Sequence, residues 1–206
     1  MNIFSFNYVV ALAALSVSIF SVLPLSCSYS KKEGKFVLET ERLILCEFTM
    51  EDEKDLLKLF SDPDVMHFSV SGPLDMKGVR AFLKKTLQSY KEHGYGKWAV
   101  ILKKTGELVG ACGIHNVKID YEYLTEIGYR LVKKHWGKGL GTEVAVSIRD
   151  YGFETLKLPY LVSCMHPDNI ASIRVAEKNG MKYWRDGEFF GVPCLVYGIT
   201  RIAIFN

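Results

Sequence analysis

The clearest structural signal in this chain is the segment Leu131-Val-Lys-Lys-His-Trp-Gly-Lys-Gly-Leu-Gly-Thr-Glu143. A strand-like run leads into three alternating glycines, at 137, 139 and 141, and a helical pattern begins within them. Glycine lets the backbone approach a ligand closely, and the free N–H groups at a helix start attract anions. The segment therefore predicts a strand, a tight turn and a helix, with a phosphate or pyrophosphate as the expected ligand. A tight turn without a ligand is the alternative that the glycines alone leave open.

The spacing of these glycines excludes two familiar phosphate-binding loops. A Walker loop requires G-x-x-x-x-G-K-[ST], which the chain lacks, and a Rossmann loop requires G-x-G-x-x-G near the start of a βαβ unit. Here the pattern is G-x-G-x-G, with Lys133, Lys134 and Lys138 beside it. The pattern indicates an anion site of a different type.

Helices and strands alternate irregularly around this segment. Thr49 followed by Asp52 predicts a capped amphipathic helix, and Gly94 is expected to end a second helix that begins at Asp75. Further helices are predicted over 139–156 and 168–179, and strands over 42–48, 98–102, 107–115, 126–132, 160–165, 181–184 and 192–204. The fold class is α+β, with a mixed, largely antiparallel sheet and flanking helices.

Residues 1–30 form an apolar leader in front of this domain. They contain no Asp, Glu, Lys, Arg or His, and residues 8–25 are almost entirely apolar. Such a segment predicts a membrane anchor or a signal-like export sequence, and a mis-assigned start or an apolar tail packed elsewhere is the remaining alternative. Lys31, Lys32 and Lys35 follow it, so the positive-inside rule puts the domain in the cytoplasm. Five dispersed cysteines without C-x-x-C spacing indicate neither a disulfide framework nor a zinc site.

The second informative segment is His166-Pro-Asp-Asn-Ile-Ala-Ser-Ile-Arg-Val-Ala-Glu-Lys-Asn-Gly-Met-Lys-Tyr183. Taken by itself it is a short helix capped by Asp168 and ended by Asn179-Gly180. Together and in this order, however, the two segments resemble the GNAT acetyltransferase superfamily, and within it the RimJ/RimL-like branch. The opening strand Glu39–Leu45 matches that branch, and Glu126–Leu131, Trp136–Glu143 and Asn169–Gly180 match its three later blocks. The resemblance covers roughly 36–202 and implies a GNAT-like domain over 36–206.

The resemblance implies acetyl-CoA as co-substrate and requires no metal. The backbone of the glycine turn would hold the CoA pyrophosphate, and Asn169 matches the family's pantetheine-contacting asparagine. Trp136 stands where the superfamily usually has Gln or Arg, a departure that is common in this branch. The implied pyrophosphate residues are Trp136, Gly137, Lys138, Gly139, Leu140, Gly141 and Thr142.

Two residues are candidates for acid–base catalysis. The acceptor amine must be unprotonated to attack the thioester, and Glu126 matches the position of the base in many family members. Its alternative role is that of a cross-strand partner for a Lys or Arg. Ser172 matches a serine that some RimL-like enzymes use to protonate the leaving thiolate. Its alternative role is a helix serine bonded to the backbone.

The resemblance implies an N-acetyltransferase that moves the acetyl group directly to a primary amine. A protein N-terminal α-amine is favoured, and a small amine or polyamine remains open. The alternative is a non-catalytic acetyl-CoA-binding sensor or interaction module. A net charge of +3 is too mild to indicate a nucleic-acid partner. Acidic residues in a predicted loop over 120–123 would attract a cationic amine. His115 is expected to be structural or surface-exposed, and His135 is expected to face solvent, with contact to a phosphate as its alternative role.

Overall fold

A single eight-stranded sheet forms the centre of the molecule, whose computed structural model describes residues 34–202. Its strands are β1 (Phe36–Glu39), β2 (Leu43–Glu47), β3 (Lys97–Leu102), β4 (Glu107–Ile119), β5 (Glu122–Leu131), β6 (Tyr160–Met165), β7 (Lys182–Phe189) and β8 (Val192–Thr200). They lie in the order β1-β2-β3-β4-β5-β6-β8-β7, and of these neighbours only β5 and β6 run parallel. The helices are α1 (Glu53–Phe60), α2 (Met76–His93), α3 (Leu140–Glu154) and α4 (Ile170–Lys178). The α+β prediction with a largely antiparallel mixed sheet is confirmed.

Local signals define the helix ends as expected. Thr49 and Asp52 form a reciprocal capping box ahead of α1, with the Thr49 N–H donating to Asp52 Oδ2 at 2.7 Å. The Asp75 carboxylate accepts from the Gly78 N–H at 2.8 Å, and Gly94 ends α2 at a φ of 75°. Glycine adopts this left-handed conformation without the clash that a Cβ would cause.

Several strand predictions differ from the structure. β1 was not expected as a separate strand, β4 continues to Ile119, β5 begins at Glu122, β7 continues to Phe189, and β8 ends at Thr200. The predicted loop over 120–123 was wrong, because β4 and β5 form a tight hairpin in which Glu122 already belongs to β5. Asp120 makes this turn possible at a φ of 52°, a conformation that aspartate tolerates better than most side chains.

Each face of the sheet is covered by one pair of helices. α1 and α2 enclose a core that includes Phe48, Leu83 and Ala99. α3 and α4 cover the opposite face, whose core includes Ile127 and Ile148. Since side chains alternate along a strand, successive residues of β5 face different helix pairs. We call these two sides the α1/α2 face and the α3/α4 face.

The sheet is interrupted between β5 and β6. These strands are paired at a single position, Glu126 with Val162, whereas β5 pairs with β4 along its whole length. Beyond Glu126 the two parallel strands diverge, which leaves one edge of β5 without a neighbouring strand. The result is an opening that connects the two faces of the sheet.

The apolar leader lies outside the described residues, so its role as an anchor or signal stays a prediction. Within residues 34–202, no helix combines the length and the apolar character that a membrane crossing requires.

Candidate active site

A cavity of about 1240 Å³ occupies the opening between β5 and β6. Its wall includes the glycine turn and the start of α4 on the α3/α4 face, and the middle of α2 and the start of β3 on the α1/α2 face. It exceeds the roughly 300–1,000 Å³ of an ordinary small-molecule pocket. The volume suits a long ligand that enters from one face and meets a second ligand from the other.

The glycine turn adopts the predicted arrangement of strand, tight turn and helix. Gly137 and Gly139 have φ angles of 72° and 80°, and Gly139 caps α3 without any side chain to bond the first helical N–H groups. The backbone N–H groups of Leu140, Gly141 and Thr142 therefore remain free for an anion. Of the segment 136–142, all residues except Lys138 line the cavity.

A clamp that the sequence did not reveal holds this turn in place. Arg42 donates from Nε to Glu143 Oε2 at 2.6 Å and from Nη1 to the Lys138 carbonyl at 2.9 Å. Glu143 also accepts hydrogen bonds from the Thr40 hydroxyl and the Arg42 backbone N–H. Burial opposes ionisation of Glu143, but these contacts keep its pKa below the usual range. The clamp joins the β1–β2 connection to the first turn of α3.

On the α3/α4 face, the start of α4 faces β5 across the cavity. The Asn169 side-chain oxygen accepts from the Ser172 N–H at 3.1 Å, which gives Asn169 the capping role that the sequence analysis assigned to Asp168. Its amide nitrogen remains available to a ligand. The Ser172 hydroxyl neighbours that of Tyr129, a residue the sequence analysis missed. Burial raises the pKa of Tyr129 to about 12, although Ser172 opposes the shift.

On the α1/α2 face, Glu126 forms a buried pair with His115. The two are cross-strand neighbours on β5 and β4, with His115 Nε2 lying 3.0 Å from Glu126 Oε2. The Cys164 N–H donates to Glu126 Oε1 at 3.1 Å. Burial would raise the pKa of Glu126, but His115, Lys97 and this N–H hold it below its usual range. Burial and then Lys97 lower the pKa of His115, whereas Glu126 opposes this shift.

These contacts revise three expectations about the site. Glu126 is paired with a histidine rather than with a Lys or Arg, and His115 is part of the cavity wall rather than an isolated group. His135 was expected to face solvent, but only 11% of its side chain is exposed. His135 lines the cavity, and its Nε2 lies 4.0 Å from a carboxylate oxygen of Glu107.

Lys97 and Arg130 lie beside the Glu126–His115 pair. A Cβ placed on Gly128 would approach Lys97 Nζ to 2.8 Å and His115 Cε1 to 3.0 Å, so the absence of a side chain at Gly128 makes room for both groups. Burial and then the Arg130 cation lower the pKa of Lys97 to about 8, against the influence of Glu126. Arg130 itself donates to the Ser69 hydroxyl at 3.1 Å.

The acidic residues of the β4–β5 turn share one cation of β7. Arg185 binds Asp120 at 2.5 Å and Glu122 at 3.0 Å, and residues 120–123 do not line the cavity, so their attraction for a cationic amine stays a prediction. Cys164 lines the cavity, but burial raises the pKa of its thiol. Across residues 34–202, no three His, Cys, Asp or Glu side chains are grouped as metal ligands.

Comparison with known proteins agrees with this arrangement. The profile of the acetyltransferase (GNAT) domain family matches residues 42–182. An uncharacterised Bacillus subtilis protein, YkkB, is 37% identical over 80% of this chain and 95% of its own length. The crystal structure of an acetyltransferase from Agrobacterium tumefaciens is 33% identical, with a TM-score of 0.70 over 80% of this chain and 94% of its own. RimL, a ribosomal L7/L12 α-N-protein acetyltransferase solved with coenzyme A, shares the fold at 15% identity, with a TM-score of 0.68 over 81% of this chain and 98% of its own.

Proposed function

The chain belongs to the GNAT acetyltransferase family and is an acetyl-CoA-dependent acetyltransferase. From this premise we propose that its acceptor is a protein N-terminal α-amine. A small amine or polyamine is the other acceptor class. The observation that supports direct transfer is the opening between β5 and β6, because it connects an anion-binding turn on one face with the Glu126–His115 pair on the other.

The α3/α4 face is the proposed donor side. The free N–H groups of the glycine turn would bind the CoA pyrophosphate, and the Asn169 amide nitrogen would bind pantetheine. The unpaired edge of β5 would hydrogen-bond the pantetheine amides in place of the missing strand. An N–H of the same edge would polarise the thioester carbonyl, as in an oxyanion hole.

The α1/α2 face is the proposed acceptor side. The neutral amine attacks the thioester carbonyl carbon, the C–S bond breaks, and the sulfur leaves as a thiolate. Glu126 takes the proton that the attacking nitrogen loses, directly or through a water, and releases it to solvent. Ser172 supplies a proton to the thiolate and regains one from solvent. A carboxylate suits an α-amine, with a pKa of about 7.7–8.0, better than a lysine side chain at about 10.4, because the α-amine is already partly unprotonated at neutral pH.

Release of free CoA thiol tests this proposal. The full-length chain, kept in mild detergent because of residues 8–25, is assayed with acetyl-CoA and peptides, polyamines or aminoglycosides. We expect turnover with peptides that have a free N-terminus. Glu126→Gln should lower kcat/KM by about 10²–10⁴-fold, the usual scale of acid–base catalysis. Glu188→Gln, an exposed carboxylate on β7, is the matched control for that change.

The role of Ser172 is tested in the same assay. Ser172→Ala should lower kcat while the affinity for acetyl-CoA is retained, because the serine acts on the leaving group. Ser147→Ala on α3 is its control, since the Ser147 hydroxyl bonds only a backbone carbonyl of its own helix. Acetyl-CoA binding without turnover on any amine would instead indicate a non-catalytic sensor. Absence of acetyl-CoA binding would contradict the assignment of the glycine turn.

The apolar leader is the proposed membrane tether, with the catalytic domain on the cytoplasmic side where acetyl-CoA is made. Leu15→Lys in the full-length chain would place a charge in the middle of the apolar segment. We expect this variant to move from the membrane fraction to the supernatant during alkaline extraction. Equal partitioning of the variant and the original chain would contradict the tether.

A further inference from the structure

Positive charge gathers on the acceptor side of the cavity. Lys85 of α2, Lys97 of β3 and Arg130 of β5 all line its wall. Lys97 pairs across the sheet with Gly113, which in turn pairs with Gly128, so the Lys97 side chain crosses two glycines to reach β5. These three residues come from different elements and converge on one surface, which we call the cationic wall.

The cationic wall carries more positive than negative charge within residues 34–202. The carboxylates on the cavity surface there are Asp64 and Glu126. Asp64 forms a salt bridge with Lys133 at 2.6 Å. Glu126 contacts His115 at 3.0 Å, and its single negative charge offsets only part of the positive charge of Lys97 and Arg130. Lys85 and Lys97 form no salt bridge in this part of the chain, and the side chain of Arg130 bonds the uncharged Ser69 hydroxyl.

Lys97 and Arg130 are partly buried, and two such cations that share one nearby carboxylate are costly. Removing a charge from water is unfavourable unless an opposite charge or several hydrogen bonds compensate for it. The lowered pKa of Lys97 reflects this cost, since burial and the repulsion of Arg130 both disfavour its proton. A carboxylate bound between Lys97 and Arg130 would relieve both effects through charge-assisted hydrogen bonds.

The cationic wall lies close to the reacting centre. Glu126, Gly128 and Arg130 occupy alternate positions of β5 and share the α1/α2 face. Two residues along a strand span about 6.8 Å, so Gly128 lies one such step from the proposed base. Lys97 Nζ sits over Gly128. If the amine of the acceptor lies at Glu126, the acceptor's adjacent groups that extend along β5 would contact Lys97, and groups farther from the amine would contact Arg130.

We propose that the acceptor carries a carboxylate one or two residues from its reacting amine, and that the cationic wall binds this group. In a protein acceptor the carboxylate is an Asp or Glu side chain at the first or second position of the N-terminus. This inference rests on the proposed N-terminal acetyltransferase function and narrows its substrate class. A free acidic amino acid has the same chemistry and is a separate arm of the test.

Matched acceptors test the proposal on the full-length chain. One pair of peptides differs only by Asp or Asn at residue one, a second pair differs only by Glu or Gln at residue two, and free aspartate is compared with asparagine. We expect kcat/KM to favour the acidic peptide of each pair by at least about tenfold, the scale of one charge-assisted hydrogen bond in a partly buried site. Preference for free aspartate over both acidic peptides would show that the carboxylate comes from a small molecule.

Variants of the cationic wall separate recognition from catalysis. Lys97→Met and Lys85→Gln should each reduce the ratio of kcat/KM for the acidic peptide to kcat/KM for the neutral peptide towards one. Lys85 is exposed, so its replacement does not threaten folding. Lys84→Gln is the matched control, because this neighbouring lysine is also exposed on α2 but does not line the cavity. In Lys84→Gln the ratio of turnover with acidic peptides to turnover with neutral peptides should equal that of the original chain.

Two results would overturn the inference. Equal turnover of acidic and neutral peptides would contradict it while leaving the acetyltransferase function intact. If no peptide is acetylated, calorimetry with CoA and the N-acetylated peptides still compares the binding of Asp with that of Asn. Equal binding there would overturn the inference as well, whereas tighter binding of the acidic peptide would uphold the cationic wall although the proposed transfer failed.

Discussion

The clamp between Arg42 and Glu143 leads to a prediction about the affinity for acetyl-CoA. Arg42→Met removes the hydrogen bonds to Glu143 Oε2 at 2.6 Å and to the Lys138 carbonyl at 2.9 Å. The Arg42 side chain is 43% exposed, so solvent screens its contacts, whereas Glu143 is only 17% exposed and loses its cation. We expect the variant to destabilise the glycine turn by about 1–2 kcal/mol.

This loss should affect acetyl-CoA binding more than the chemical step. The turn presents its N–H groups to the donor, and about 1.4 kcal/mol corresponds to a tenfold change in affinity. Steady-state kinetics should therefore show a KM for acetyl-CoA that rises roughly tenfold, with a much smaller change in kcat and in the KM for the acceptor.

Arg80→Met is the control for this prediction. Arg80 forms a comparable ion pair with Glu53, at 2.8 Å, but it joins α2 to α1 and does not line the cavity. Its removal should leave all the kinetic constants unchanged. The reasoning is refuted if Arg42→Met lowers the melting temperature while its KM for acetyl-CoA stays within twofold of the original, because the clamp would then serve stability alone.

Three further predictions concern single side chains of the site. Gly139→Ala places a Cβ at a φ of 80°, so we expect a loss of about 1 kcal/mol in thermal unfolding and weaker acetyl-CoA binding. Unchanged binding would contradict the role of this turn. Tyr129→Phe removes a buried hydroxyl that has no hydrogen bond of regular geometry in the described chain, so the melting temperature should hold or rise. A kcat loss as large as that of Ser172→Ala would instead make Tyr129 the proton donor. Lys97→Met should be more stable than the original chain at pH 7, and the gap should close as the pH rises from about 8 to 10.5, because the folded Lys97 loses its proton before the unfolded one. A gap that stays constant over this range would contradict the lowered pKa.

The parts of the fold that were predictable are those with local causes. The capping box at Thr49, the left-handed Gly94 and the glycine turn each depend on a few neighbouring residues, so their sequences are sufficient to predict them. The short edge strand β1 has too few residues for a periodic signal in the sequence. It is a strand because its backbone pairs with that of β2. The hairpin at Asp120 was missed because an aspartate, rather than a glycine, adopts the positive φ.

Only some residues of the candidate site were identified from the sequence. Glu126, Ser172 and the glycine turn lie on the wall of one cavity, as the resemblance to the family implied. His115 and Lys97 were not identified, because their importance depends on the register that sets them beside Glu126 and Gly128. Register is a property of strand pairing across the sheet, and no short motif encodes it.

The single backbone pairing between β5 and β6 would link the stability of this protein to its metabolic supply. Few hydrogen bonds besides this pairing join the two strands, among them Cys164 N–H to Glu126 and Ser163 Oγ to the Ile127 carbonyl, and a donor molecule lying along the edge of β5 would add to them as a missing strand would. Any ligand that binds only the folded chain stabilises it, by about 2.7 kcal/mol at a hundredfold excess over its Kd. When acetyl-CoA is abundant the two parts of the sheet would be joined and resistant to proteolysis, and when it is scarce the same chain would open more often. The lifetime of the protein would then follow the acetyl-CoA concentration of the cell.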